Sequence, residues 1–135
     1  MSEKSLESQN GIFRVRNILK TGSTVFAVSA ILLIASPNMF LELLGLTASS
    51  EPLIWSMRMI GITLVALAGN MWMNSLQAEP QNLQKTAVLM SVGAMSLGLI
   101  TLMIPVDLNW FSISYALIGF GFGAAYILAL LLKRF

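Results

Sequence analysis

Apolar residues run along this chain in four long blocks separated by short polar interruptions. No Asp, Glu, Lys or Arg occurs at positions 21–41, 59–78, 86–106 or 108–132, stretches of 21, 20, 21 and 25 residues. A helix needs roughly 20 apolar residues to cross about 30 Å of hydrocarbon. No water reaches that layer, so each backbone N–H and C=O must be satisfied inside its own helix. A helix of a soluble bundle would show a broad polar face, and none of the four blocks does. The pattern predicts an all-α polytopic membrane protein, an up-and-down bundle of four transmembrane helices near 19–36, 53–76, 84–104 and 110–132. Residues 1–18 form a polar, basic cytoplasmic N-terminal segment, and 19–135 form one transmembrane domain.

The interruptions carry recognisable breaker chemistry. Ser36-Pro37 closes the first span and can open a short helix, with Ser36 as N-cap and Pro37 at the first helical position. Phe40, Leu43 and Leu44 would share one face of that helix, Glu42 the other, and Gly45 can close it. This pattern predicts a short helix lying in the membrane interface. Ser50-Glu51-Pro52 opens the second span, while Glu79-Pro80-Gln81-Asn82 and Pro105-Val106-Asp107-Leu108-Asn109 read as polar turns. A weak repeat is also visible. Each half runs apolar helix, Pro (Pro37, Pro105), acidic loop, Trp (Trp55, Trp110) and then a helix with Gly (Gly61, Gly119). A duplicated two-helix unit would give this order, and so would two outer loops that each open with Pro and close with Trp.

Charge adds orientation. Lys4, Arg14, Arg16, Lys20, Lys85, Lys133 and Arg134 fall on one side of the predicted spans, whereas the opposite loops hold only Glu42, Glu51 and Asp107. The positive-inside rule then places both termini in the cytoplasm, in an inner (plasma) membrane. Trp55 and Trp110 would sit at the outer interface, with Trp72 and Tyr126 nearer the inner one, as an aromatic belt. The first span reads as a retained helix, because its basic lead-in is long and no A-x-A site follows it.

Composition removes whole classes of function. With 8 Lys or Arg, 6 Asp or Glu and 10% charged residues, there is no basic surface for nucleic acid. His and Cys are absent, which excludes His-held haem, Cys/His zinc sites, Cys–His nucleophiles and CxxC redox chemistry. There is no phosphate-binding Gly-rich loop and no paired carboxylate within a span, so no catalytic residue, cofactor or metal is expected. Met57/Met59 and Met71/Met73 could suggest Cu(I), but residues i and i+2 point about 200° apart on a helix, so these read as packing.

A few polar residues remain as candidates. Arg58 is the one charge that the topology leaves unexplained. It could bind an anion, a headgroup or a quinone oxygen, or it could snorkel or pair with Glu42, Glu51 or Asp107. Asn70 and Asn74 share a face with Thr63 and Ser56, either as a polar lining or as interhelical hydrogen bonds. Gly119 and Gly123 form a GxxxG for close helix packing within the chain or between copies, and Ala87/Ser91, Ala94/Gly98 and Ser23/Ala27 repeat the spacing.

The stretch from Ala30 to Trp72 carries a family resemblance. Ser36-Pro37, then Met39 to Leu46 with Gly45, then Arg58-Met59-Ile60-Gly61 and Gly69 resemble the bacterial four-helix inner-membrane proteins related to the DoxX group. The resemblance implies a four-helix up-and-down bundle. Some relatives are subunits of quinone-linked oxidoreductases, and a quinone-associated role enters only in that way. The reading that follows is a small non-catalytic integral membrane protein, an accessory or scaffold subunit. Its partners are the lipid bilayer and a membrane protein or a second copy. The alternatives are a transporter or channel for a small or apolar solute, and a quinone-associated oxidoreductase subunit.

Overall fold

The computed structural model describes residues 2–46 and 50–132. Among them are five helices and no strand: α1 (Glu3–Ala35), α2 (Pro37–Leu43), α3 (Glu51–Gln77), α4 (Pro80–Leu102) and α5 (Trp110–Leu131). Four of these, α1, α3, α4 and α5, are long and apolar enough to cross a membrane. Their outer surfaces bear large apolar side chains, among them Ile31, Leu89, Ile100, Leu117 and Leu131, each more than 60% exposed. Water would penalise such a surface and lipid would not, which marks a membrane-embedded protein.

The punctuation works locally as its chemistry dictates. Pro37 and Pro80 occupy first turns, where a missing N–H costs nothing. The Ser50 hydroxyl accepts from the Leu53 amide at 3.4 Å and caps α3. Gly45 takes φ +82°, and the Leu46 amide reaches back to the Leu41 carbonyl at 2.9 Å, a left-handed helix ending. Two expectations are corrected. The first helix begins at Glu3 rather than near residue 19. No Pro interrupts residues 3–18, and Gly11, Val15 and Leu19 are buried, so tertiary packing extends the helix through a segment whose charges read as a tail. The inward face of α2 is also corrected, being Phe40 and Leu41 rather than Phe40 with Leu43 and Leu44, and the Phe40 ring meets Phe111 at 5.7 Å and Tyr115 at 6.0 Å. Leu43 and Leu44 are only partly buried.

The helices pack as two antiparallel pairs, α1 with α3 and α4 with α5, and α1 joins the pairs by touching α5 and α4. The two glycines of the weak repeat sit at equivalent places. A Cβ on Gly61 would lie 3.2 Å from the Ala30 carbonyl of α1, and one on Gly119 would lie 3.0 Å from the Ala94 carbonyl of α4. The largest buried cluster, Val15, Leu19, Met71, Leu83, Ala87, Tyr126 and Ala129, joins all four long helices at the end where α1 begins. Tyr126 is therefore a core residue, 1% exposed, and not a member of an interfacial belt. Trp55, Trp72 and Trp110 are exposed.

Candidate functional site

Within the bundle, a small cavity lies between the two helix pairs. It holds about 30 Å³ and is walled by Gly22 and Phe26 of α1, Met71 of α3, and Gly119, Phe122 and Tyr126 of α5, among others. Gly22 and Gly119 let the helices close up around it, since a Cβ on them would meet the Met71 methyl and the Gly98 amide, each at 2.9 Å. Roughly 10–15 Å³ is needed per water, and a water needs two or more polar partners. The polar groups at this wall are the hydroxyls of Tyr115 and Tyr126. Tyr115 lies 3.5 Å from the Ser29 hydroxyl, and the buried Tyr126 hydroxyl has no hydrogen-bond partner. The walls are otherwise apolar, and the space offers one unpartnered phenol hydroxyl. No carboxylate, base or nucleophile accompanies it, and among the described residues no cluster of metal-ligating acids occurs.

A second set of polar groups ties the helices together. The guanidinium of Arg16 on α1 donates to the Ser75 carbonyl at 2.6 Å and the Ala78 carbonyl at 2.8 Å. Both are end-of-helix carbonyls of α3, which lack a partner within their own helix. A cation there also meets the negative end of the helix dipole. Deeper along the same pair, the buried Ser23 hydroxyl donates to the Ala68 carbonyl at 2.7 Å. At the opposite end, Asn109 caps α5 by accepting from the Ser112 amide at 2.9 Å, and its amide donates to the Leu43 carbonyl of α2 at 2.9 Å. Sequence patterning does not reveal these roles. Arg16 reads as one more cytoplasmic charge, and the carbonyls it reaches lie 59 and 62 residues away.

The residues singled out in the sequence fall in three places. Glu42, Glu51 and Asp107 are exposed at one end of the bundle, which Asn109 gathers by its bond to Leu43. Arg58 is exposed near that end of α3, and among the described residues it makes no ion pair or hydrogen bond with Glu42, Glu51 or Asp107. Asn70 is exposed and Asn74 half-buried on α3, both outside the cavity wall, and they bond to each other: the Asn74 amide donates to the Asn70 carbonyl at 2.9 Å and to its side-chain oxygen at 2.6 Å. Gly119 and Gly123 face α4, where Cβ atoms would meet the Gly98 amide at 2.9 Å and the Met95 side chain at 2.6 Å. Met71 is buried while Met73 is 52% exposed, so that pair does not converge. Lys133 and Arg134 lie outside the described residues.

No family model, curated protein or solved structure matches this chain.

Proposed function

We propose that this chain is a multi-pass inner-membrane protein with both termini in the cytoplasm, and that it serves as a non-catalytic accessory or scaffold subunit. The orientation is supported by segregated charge. Lys4, Arg14, Arg16, Lys20 and Lys85 gather at the end where α1 begins and α4 starts, and Glu42, Glu51 and Asp107 gather at the other. The observation that carries the functional reading is the fate of the polar side chains within the spans. Ser23, Thr63, Ser75, Ser91 and Ser114 each donate to a backbone carbonyl of this same bundle. Among the described residues no line of unpaired polar groups therefore runs through the interior, whereas ion and proton paths are built from such groups.

The transporter alternative needs the Asn70 face to line a path, and that face points away from the other helices. The quinone alternative has one feature in its favour, the unpartnered Tyr126 hydroxyl, but the space before it takes roughly two water-sized groups rather than a ring. Kinship with the DoxX-related group is part of the same proposal. The residues that carry it, Pro37, Gly45 and Gly61, start α2, end α2 and seat α3 on α1. The deciding experiment is affinity purification from membranes solubilised in mild detergent. A different membrane protein should co-purify at a fixed ratio, and recovery of this chain without one would overturn the proposal. Reconstituted vesicles should show no solute flux above empty ones, and extracts of the purified protein should contain no stoichiometric quinone.

A further inference from the structure

Between α1 and α5, at the end where α1 begins, lies a cleft of about 350 Å³. It opens to the outside of the bundle, where Leu128 and Leu132 are exposed. On α1 its wall is Arg14, Asn17 and Ile18, which share one face because positions three and four apart are helix neighbours. On α5 the wall includes Ala125, Leu128 and Leu132, and Ala125 presents only a methyl group. Arg14 differs from Arg16, two residues on. The Arg16 guanidinium is occupied by the Ser75 and Ala78 carbonyls. That of Arg14 is exposed and, among the described residues, has neither an ion pair nor a hydrogen bond. The Asn17 backbone carbonyl accepts from Thr21, and among the same residues the Asn17 side-chain amide has no partner.

Depth points to the occupant. Arg14 precedes Ala35, the last residue of α1, by 21 residues, about 30 Å of helix. On the facing wall, the 22 residues of α5 extend about 33 Å and end just before Leu132. Both lengths match the roughly 30 Å of a hydrocarbon layer, so Arg14 and Leu132 stand at its edge, where lipid phosphates begin. Asn17 lies about 4.5 Å deeper, at the level of the ester carbonyls that join headgroup to chain. Deeper still the walls are aliphatic, with Ile18 on one side and Ala125 on the other. Guanidinium, amide and aliphatic wall thus follow the order of phosphate, ester and acyl chain along a phospholipid. The planar fork of Arg14 suits phosphate oxygens, and a bare anion would gain nothing from the aliphatic wall. Among the described residues no carboxylate lines the cleft to receive the ammonium of a zwitterionic headgroup, so charge complementarity favours an anionic one. We infer that the α1–α5 cleft is a binding site for one anionic phospholipid of the leaflet at this end. Arg14 holds its phosphate, the Asn17 amide donates to an ester carbonyl, and an acyl chain lies along Ile18 and Ala125. The site needs only that the chain is embedded in a membrane and is independent of the accessory-subunit reading.

Native mass spectrometry of the full chain in mild detergent tests this, with phosphatidylglycerol or phosphatidylcholine of identical acyl chains added. The chain should retain a single phosphatidylglycerol and hold phosphatidylcholine more weakly. Arg14→Gln should weaken phosphatidylglycerol binding about fivefold, the effect of one cation at headgroup level. Lys4→Gln removes the same charge from the same helix, but about 15 Å further out and beyond a screening length of about 10 Å, so it should change binding less than twofold. Ala125→Leu narrows the aliphatic part of the cleft without altering charge, and it should weaken binding severalfold. An unchanged melting temperature of each variant in detergent shows that the fold survives. Equal retention of the two lipids overturns the proposal, as does an affinity that Arg14→Gln leaves unchanged. A loss in Lys4→Gln as large as that in Arg14→Gln overturns it too, because diffuse attraction then accounts for the binding. So does binding that survives Ala125→Leu, since a site for a bare anion has no need of the aliphatic wall.

Discussion

The two helix pairs hold together by different means. In α1–α3 the contact is fastened by hydrogen bonds at intervals: the Arg16 fork on the last carbonyls of α3, then Ser23 on the Ala68 carbonyl. In α4–α5 close approach does the work. Gly119 sits against the backbone of Ala94 and Gly98, and Gly98 against the Ala116 carbonyl. Lipid supplies no hydrophobic drive between helices, so packing and hydrogen bonds are what remains. Both pairs cross at a glycine, Gly61 against the Ala30 carbonyl and Gly119 against the Ala94 carbonyl, and α1–α3 adds hydrogen bonds to that close approach.

Substitutions can break this comparison at each fastening, and unfolding of the detergent-solubilised protein by heat or denaturant reads them all. Gly119→Val should cost the most, about 3 kcal/mol, because the atoms it meets are backbone and cannot move aside. Next comes Arg16→Met, at about 2 kcal/mol, since it strands two helix-end carbonyls; Arg16→Lys should recover only part, as an ammonium has no planar fork. Ser23→Ala should cost about 1 kcal/mol, the scale of one interhelical hydrogen bond in a membrane. Gly123→Ala should also cost about 1 kcal/mol, because the Cγ and Sδ of Met95 stand in the way of the Cβ and the whole side chain must swing aside. At the bottom, Gly121→Ala should change nothing measurable, since a Cβ there meets open space. If Gly119→Val cost less than Ser23→Ala, the distinction between the two pairs would collapse.

The parts of this fold written in local chemistry are readable in the sequence. Charge-free blocks mark the four long helices, and Ser36-Pro37, Gly45, Ser50 and Pro80 mark their ends, because caps and breakers act within a few residues. The start of α1 is not readable. Residues 3–18 carry polar groups that look solvated, and only burial of Val15 and Leu19 against distant helices shows that the segment belongs to the bundle. The same limit hides Asn109, whose loop position suggests a turn but not a bond to Leu43, 66 residues away. Tyr126 misleads for a further reason. An aromatic hydroxyl near a span end suits an interface, but the ring packs in a buried cluster with Val15, Leu19, Met71 and Leu83 of the other three long helices. Arg58 stands out as a charge within a span, while the arginine that fastens two helices sits among ordinary basic neighbours.

The Arg16 clamp also works as a ruler. From Trp55, exposed at one end of α3, to Ser75, whose carbonyl the guanidinium holds, there are 20 residues, about 30 Å of helix. That equals the thickness of a typical hydrocarbon layer. Because the clamp stops α1 from sliding along α3, the pair cannot shorten in a thinner bilayer by shifting one helix past the other. It must tilt as a unit, and the first turns of α1, which extends about 50 Å over its 33 residues, would swing with it like the long arm of a balance.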